Sequence, residues 1–225
     1  GIRDYKVTGV QTCAIPICLA ALNTPAERAS AQFFANVLRD SLGSPRRADT
    51  DLLLPRVPFG ELLPEPACRW LTANGATLRF GHRVRSINDA CVDGEAYDAL
   101  VVAVAPQHLQ ALLPEVDADF AYEPIATVYL QFATKTALPF PLLHLGGATG
   151  AWAIDRGNGL FGCAISGHGD WETLSDEALA AEIESALGLG PADWRRVIRE
   201  KRATFASRPQ QARPSHITAD PRLIL

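Results

Sequence analysis

The sequence predicts an α/β chain, in which an antiparallel sheet with helices accompanies a buried parallel strand. Three observations carry that expectation. Ala99–Ala105 is a continuous apolar run preceded by Asp98 and stopped by Pro106, the pattern of a strand buried on both faces at the centre of a parallel sheet. Thr127–Ala133, Leu142–Leu145, Ala151–Ile154 and Leu160–Ser166 are strand-like segments separated by Gly, Pro and Asn, which suggests an antiparallel sheet. Ser175–Leu187 is amphipathic at helical spacing, with Asp176 and Glu177 in the favourable first turn and Gly188 at its end.

Composition narrows the function classes. The chain has 225 residues, 48% of them hydrophobic, and a net charge of −4. It is therefore globular, and no basic excess points to nucleic acid. The apolar runs fall well short of the ~20 residues a membrane helix needs. No transmembrane segment is expected, and peripheral membrane contact stays open. Cys13, Cys18, Cys68, Cys91 and Cys163 are an odd, scattered set without a C-x-x-C pair. A reduced, cytoplasmic protein follows, with each cysteine a small buried apolar residue. His82, His108, His144, His168 and His216 lack zinc-ligand spacing, so no metal is expected.

Residues 7–17, VTGVQTCAIPI, resemble the in-frame translation of a common sequencing-library adapter, departing from it at Ile15. Residues 1–17 are therefore expected to be a non-native leader, the alternative being a genuine irregular leader. Thr24-Pro25-Ala26-Glu27 has the form of a helix start: an N-cap Thr, Pro in the first turn and Glu completing a capping box. Phe33, Phe34, Val37, Leu38 and Leu42 then recur at helical spacing up to Gly43. Ser44–Asp51 is a polar connection, and Leu52–Val57 is an extended piece held by Pro55 and Pro58. Pro64–Ala73 is expected to be a helix carrying Ala67, Trp70 and Leu71 inward, with Gly75 as its left-handed cap.

Thr77–Phe80 and Arg83–Asn88 have the pattern of short strands. Cys91-Val92 and Ala96-Tyr97 flank Asp93-Gly94-Glu95, where Asp-Gly supplies the positive φ of a tight hairpin. A small meander thus feeds Ala99–Ala105. Gln107–Leu113 is expected to be a short helix stopped by Pro114, Trp194–Phe205 a strand, and Pro221–Leu225 a last buried strand. Between Pro124 and Ile154 the only formal charge is Lys135. Such a sheet suits the wall of a hydrocarbon tunnel, or equally an ordinary sheet packed under helices.

No G-x-S-x-G, H-E-x-x-H or Gly-Lys-Ser/Thr loop is present, which leaves hydrolase and nucleotide-phosphatase chemistry without a motif. Gly167-His168-Gly169-Asp170 is a turn rather than a catalytic group. The G-x-G-x-x-G that would set a dinucleotide pyrophosphate on a helix N-terminus is expected to be missing.

Three features together carry a family likeness: a helix ending in Gly at Trp70–Gly75, the polar strand Arg83–Ile87, and the strand Asp98–Pro106 closing on small residues before Pro. The chain resembles the flavin amine oxidase and phytoene desaturase superfamily at these residues. LAALNTPAERASAQFFANVLRDSLG, LLLPRV and EKRATFASRP resemble one branch more closely, the squalene-associated FAD-dependent desaturases or hydroxysqualene dehydroxylases.

The resemblance implies FAD as cofactor, an apolar isoprenoid as substrate, and removal of a hydroxyl from hydroxysqualene to give squalene for hopanoid synthesis. It implies that Val84 meets the adenine through main-chain atoms. It also implies that Ala103, Ala105 and Pro106 lie where the strand approaches the dinucleotide. The implied architecture is a partial FAD-binding, Rossmann-like domain with an inserted substrate domain. Its parts would be residues 18–75 as the helical substrate region, 76–106 and 214–225 as cofactor-domain pieces, and 107–213 as the sheet-bearing insertion.

Leu223–Leu225 would then lie parallel to Val101–Ala103. The chain would be the middle of such an enzyme, inactive alone. The alternatives are a flavin oxidase or desaturase acting on amines or carotenoid precursors, and a non-catalytic fragment. The catalytic residues are not identified.

Overall fold

A computed structural model describes residues 17–51, 53–117 and 119–225. Of the leader expectation, residues 1–16, Cys13 among them, lie outside the described residues, as does Leu52; Ile17 is half exposed. In chain order the elements are α1 (Ala31–Leu42), α2 (Phe59–Leu62), α3 (Pro64–Ala73), β1 (Ile87–Asn88), β2 (Cys91–Val92), β3 (Glu95–Ala96), β4 (Leu100–Val101), α4 (Pro106–Leu112), β5 (Tyr122–Gln131), β6 (Leu142–His144), β7 (Trp152–Asp155), β8 (Leu160–Ser166), α5 (Asp176–Leu187), β9 (Trp194–Phe205) and β10 (Leu223–Ile224). They fall into two units, one from the described part of Gly1–Leu38 with Phe120–Gln211, the other from Arg39–Asp119 with Ala212–Leu225.

The first unit is built on an antiparallel sheet in the order β6-β7-β8-β5-β9. Side chains alternate across a strand, so Ala126, Val128 and Leu130 share a face with Ala153, Phe161, Cys163 and Ile165. All are buried, together with Leu179, Ala180 and Ile183 of α5. Each large side chain so buried contributes about 1.5–3 kcal/mol. The expected helix at Ser175 is present with its cap: the Ser175 hydroxyl accepts from Ala178 N–H at 3.2 Å, and Gly188 closes the helix at φ 67°. Pro124 has no N–H to give the ladder, and the β5–β9 register shifts there, between Glu123 and Ile125.

The start of this unit differs from expectation. Thr24 does not open a helix: its hydroxyl donates to Leu22 O and accepts, in a buried setting, from Ser207 N–H at 2.9 Å. Residues 26–28 make one turn on Pro25 O, and α1 begins at Ala31, with Ser30 Oγ accepting from Phe33 N–H. A long-range bond from Ser207 thus takes the group that local capping would have used.

The spacing G-x-G-x-x-G is present, contrary to expectation, at Gly157-Asn158-Gly159-Leu160-Phe161-Gly162. It forms the β7–β8 turn, with φ of 81°, 55° and 75° at Gly157, Asn158 and Gly159, and it runs into a strand rather than a helix. No ring of helix N–H groups follows it, so it is not a phosphate cradle.

In the second unit α3 has the predicted bounds and its Gly75 cap. Ala76 N–H reaches Leu71 O and Gly75 N–H reaches Thr72 O, a complete Schellman motif. Trp70 and Leu71 nevertheless point outward, at 65% and 38% exposure, because within this unit α3 packs chiefly on the short α2, a helix the sequence reading did not anticipate. The meander β1-β2-β3 forms, with turns at Asp89-Ala90 and at the expected Asp93-Gly94. Its strands are two residues each, and Thr77–Phe80 and Arg83–Ser86 pair with no strand.

β4 and β10 pair in parallel as expected, displaced by one residue: Leu223 lies opposite Leu100 and Ile224 opposite Val101. Leu100 N–H donates to Arg222 O and Val102 N–H to Ile224 O, at 2.7 and 2.8 Å. The expected centre of a sheet is instead one side of a two-stranded pair: Leu100 is buried while Val101 is 73% exposed. An apolar run attains burial only where neighbours cover it, and among the described residues this one has a single strand beside it.

Candidate functional site

The second unit contains a groove of about 660 Å³ lined by His82, Arg83, Val84, Arg85, Val104, His108, Ala111 and Leu112. Its size falls within the roughly 300–1,000 Å³ of small-molecule sites. Two local causes build its walls. Pro106 takes the first-turn position of α4, where its missing N–H costs nothing. His108, Ala111 and Leu112 then fall on one face, three and four residues apart. Leu109, on the other face, is buried and anchors the helix. The opposite wall is the extended segment 82–85.

That segment is held by one carboxylate. Arg85 N–H and Ser86 N–H each donate to Asp93 Oδ1 at 2.9 Å, and Asp93 N–H returns to Ser86 O at 3.0 Å. His82 Nε2 lies 3.2 Å from Asp93 Oδ2. These N–H donors, first Arg85 then Ser86, with His82 third, hold the Asp93 carboxyl below its ordinary value. The hairpin that presents Asp93 is braced by Arg79 on Glu95 at 2.9 Å and by the Tyr97 hydroxyl donating to Glu95 at 2.7 Å.

Val84 sits between these anchored residues, half-buried, and among the described residues its own N–H and C=O make no hydrogen bond. An extended backbone normally finds partners for both groups. Val84 lines the groove, so a main-chain donor and acceptor that no other described residue takes up lie at its wall. The rim is cationic, through Arg83 and Arg85, and Asp93 reaches its neighbouring cavity with Gly81 and Ser86.

Of the four residues singled out from sequence, only Val84 lines the groove. Val104 faces it, and Ala103 and Ala105, its neighbours on either side, are exposed and do not line it. Pro106 starts the helix that does. The sequence presents Asp93 only as a turn residue, and the groove face of α4 is signalled by the spacing of His108, Ala111 and Leu112 after Pro106.

The first unit presents a different surface. On the sheet face away from α5, the Tyr129 ring lies beside Gly162, where a Cβ would sit 3.4 Å from the ring. The His144 and Trp152 rings pack there with centroids 4.9 Å apart and planes tilted by 55°. Ile154, Trp194 and Ile198 on the same face are each more than a third exposed. The sheet therefore has one face buried under a helix and one more open face, on which these apolar and aromatic side chains stand with Arg196 and Glu200 of β9. Among the described residues no group of His, Cys, Asp and Glu is arranged to hold a metal, and no helix is long and apolar enough to cross a membrane.

No protein-family profile matches the chain. Its sequence is similar to hydroxysqualene dehydroxylases from Rhodopseudomonas palustris (30% identity over 90% of this chain and 53% of that protein), Zymomonas mobilis (26%, over 91% and 53%) and Sinorhizobium fredii (25%, over 93% and 54%). In fold it is similar to a crystal structure from Exiguobacterium sp. 255-15 provisionally named a protoporphyrinogen oxidase, with a TM-score of 0.56 at 13% identity, covering 88% of this chain and 53% of that one. The chain has an α/β fold and is related to the hydroxysqualene dehydroxylases, about half of whose length it spans.

Proposed function

We propose that the chain carries the adenine half-site and the substrate sheet of an FAD-dependent oxidoreductase that removes the hydroxyl of hydroxysqualene to give squalene. The observation that carries this reading is that Val84, whose N–H and C=O are taken up by no other described residue, lines a groove with Val104, Ala111 and Leu112. Adenine offers an acceptor and a donor side by side, which one residue's main chain satisfies without any reactive side chain. The residues present thus fit the adenine end of FAD. Val84 would hold the base, Arg83 and Arg85 would favour a phosphorylated ligand, and exposed Ala103 and Ala105 leave the backbone after β4 open to close approach. When bound, the reduced flavin supplies a hydride.

The chain's own contribution to the reaction is binding and exclusion of water. The open face of Tyr129, Trp152, Ile154, Trp194 and Ile198 suits a long isoprenoid, whose burial is driven by apolar area. The parallel β4–β10 pair, closed across more than a hundred residues that include the whole antiparallel sheet, supports a Rossmann-like cofactor domain carrying a substrate domain as an insertion. Peripheral contact with the membrane that holds such a substrate fits the same reading.

A chimera tests it. Residues 17–225 replace the matching half of the Rhodopseudomonas palustris relative, and flavin content and squalene formation from hydroxysqualene are measured. A yellow, active chimera supports the proposal. A folded but colourless one, or a flavin-loaded one that oxidises amines and leaves hydroxysqualene untouched, refutes it.

A further inference from the structure

We infer that Asp93 is a positioning residue for the nucleotide base, fixing the direction of the Val84 C=O so that the groove takes adenine and rejects guanine. The inference rests on the flavin reading above and extends it to a residue outside the groove's adenine wall. Asp93 binds on both sides of Val84: His82 Nε2 at 3.2 Å on one oxygen, Arg85 N–H and Ser86 N–H at 2.9 Å on the other. Arg85 and Ser86 thereby spend their donors on Asp93, and Ser86 spends its carbonyl on Asp93 N–H. Val84, like His82 and Arg83 before it, is left with both of its main-chain groups among the described residues. The peptide plane that carries the Val84 C=O and the Arg85 N–H cannot rotate without breaking the Arg85 bond to a charged acceptor.

Direction matters because the two purines present opposite orders. Adenine places an amino donor at C6 beside an acceptor at N1, whereas guanine places an acceptor at C6 beside a donor at N1. For a purine seated in one orientation, a C=O fixed opposite C6 accepts from the adenine amino group and repels the guanine carbonyl; a free segment can turn to match either. Asp93 reaches this place because the Asp-Gly turn allows φ 49° at Asp93 and 88° at Gly94. A side chain from the hairpin tip then folds back across segment 82–86.

The test uses the 225-residue chain with AMP and GMP as probes, followed by NMR shifts of the Val84, Arg85 and Ser86 amides. Wild type should bind AMP in preference to GMP. Asp93→Ala should weaken AMP about tenfold, the equivalent of one charge-assisted bond, and should erase the preference for adenine. Asp93→Asn keeps an acceptor for both N–H groups and a donor for His82, and should rescue both the affinity and the preference.

Asp93→Glu keeps the charge and lengthens the arm. If Asp93→Ala fails to fold, Asp93→Glu carries the test by losing the preference. Asp93→Ala or a folded Asp93→Glu that binds and discriminates like wild type overturns the inference alone. Wild type that binds neither nucleotide, with the Arg85 and Ser86 amides still protected from exchange, overturns the flavin reading and the inference with it.

Discussion

Glu123 is the only fully buried carboxylate among the described residues, and removing its partner gives a sharp test of the first unit. Its Oε2 accepts from Arg28 Nη2 at 3.2 Å, and His168 Nε2 lies 3.8 Å away, while Oε1 has no partner among the described residues. Breaking a fully buried pair by deleting one partner costs roughly 3–5 kcal/mol, because a charge is left without compensation. Arg28 is 40% exposed, so solvent already screens part of the attraction, and His168 remains within reach.

Arg28→Ala should therefore destabilise the sheet unit by about 2–3 kcal/mol. Arg28→Ala with Glu123→Gln should recover at least about 1 kcal/mol of that loss, because a neutral amide is cheaper to leave unpaired than a charge. The assay is urea unfolding by circular dichroism, with hydrogen exchange of β5 amides reporting this unit specifically. A loss below about 0.5 kcal/mol, or a double variant no more stable than Arg28→Ala, would show that the buried carboxylate is not held as a charge by Arg28.

The remaining predictions concern the two units separately. The chain's G-x-G-x-x-G is a hairpin, so the purified 225-residue protein should be colourless and bind FAD only weakly in a fluorescence titration. Val102→Pro removes the donor to Ile224 O and should make residues 212–225 protease-sensitive while the circular dichroism of the sheet persists. Burial pushes the Cys163 thiol up to about 12, so at pH 8 mass spectrometry should find half-buried Cys68 and Cys91 alkylated by iodoacetamide and Cys163 intact.

Asp93, depressed by its N–H donors, contributes stability above the ordinary carboxylate value that is lost as pH falls through its lowered value. Amide exchange at Arg85 and Ser86 should accelerate in that acidic window and stay slow above it.

Local rules succeeded where the partner of a group lies close in the chain. Ser175 found Ala178, Gly75 found its Schellman acceptors, and Asp93-Gly94 made its turn, each as the sequence implied. The antiparallel sheet was legible for a related reason: alternation within each strand reports one buried face whichever neighbour covers it. The expectations failed where a distant group competed. Thr24 carries every mark of an N-cap, yet Ser207, 183 residues away, takes its hydroxyl, and nothing local records that. Ala99–Ala105 misled in a complementary way, because its composition specifies what the strand can tolerate on each side and not what stands there.

The groove obeys the same division. A single residue of it, Val84, was found through a family likeness, which locates a strand but not the chemistry that prepares it. What prepares it is a pair of contacts between residues eight and seven positions apart, Arg85 and Ser86 with Asp93, closed by a hairpin whose turn was legible but whose side chain was not followed inward. An Asp at the first turn position of a two-residue hairpin has two fates: its carboxylate caps its own turn, or it reaches back over the preceding strand. The second requires that strand to stop pairing early. β1 begins only at Ile87, and that short strand, which looks like a failed prediction of Arg83–Asn88, is the condition that leaves residues 82–86 free to be gripped by Asp93 and Val84 free to meet a ligand. The departure from regular structure and the candidate site are therefore one feature.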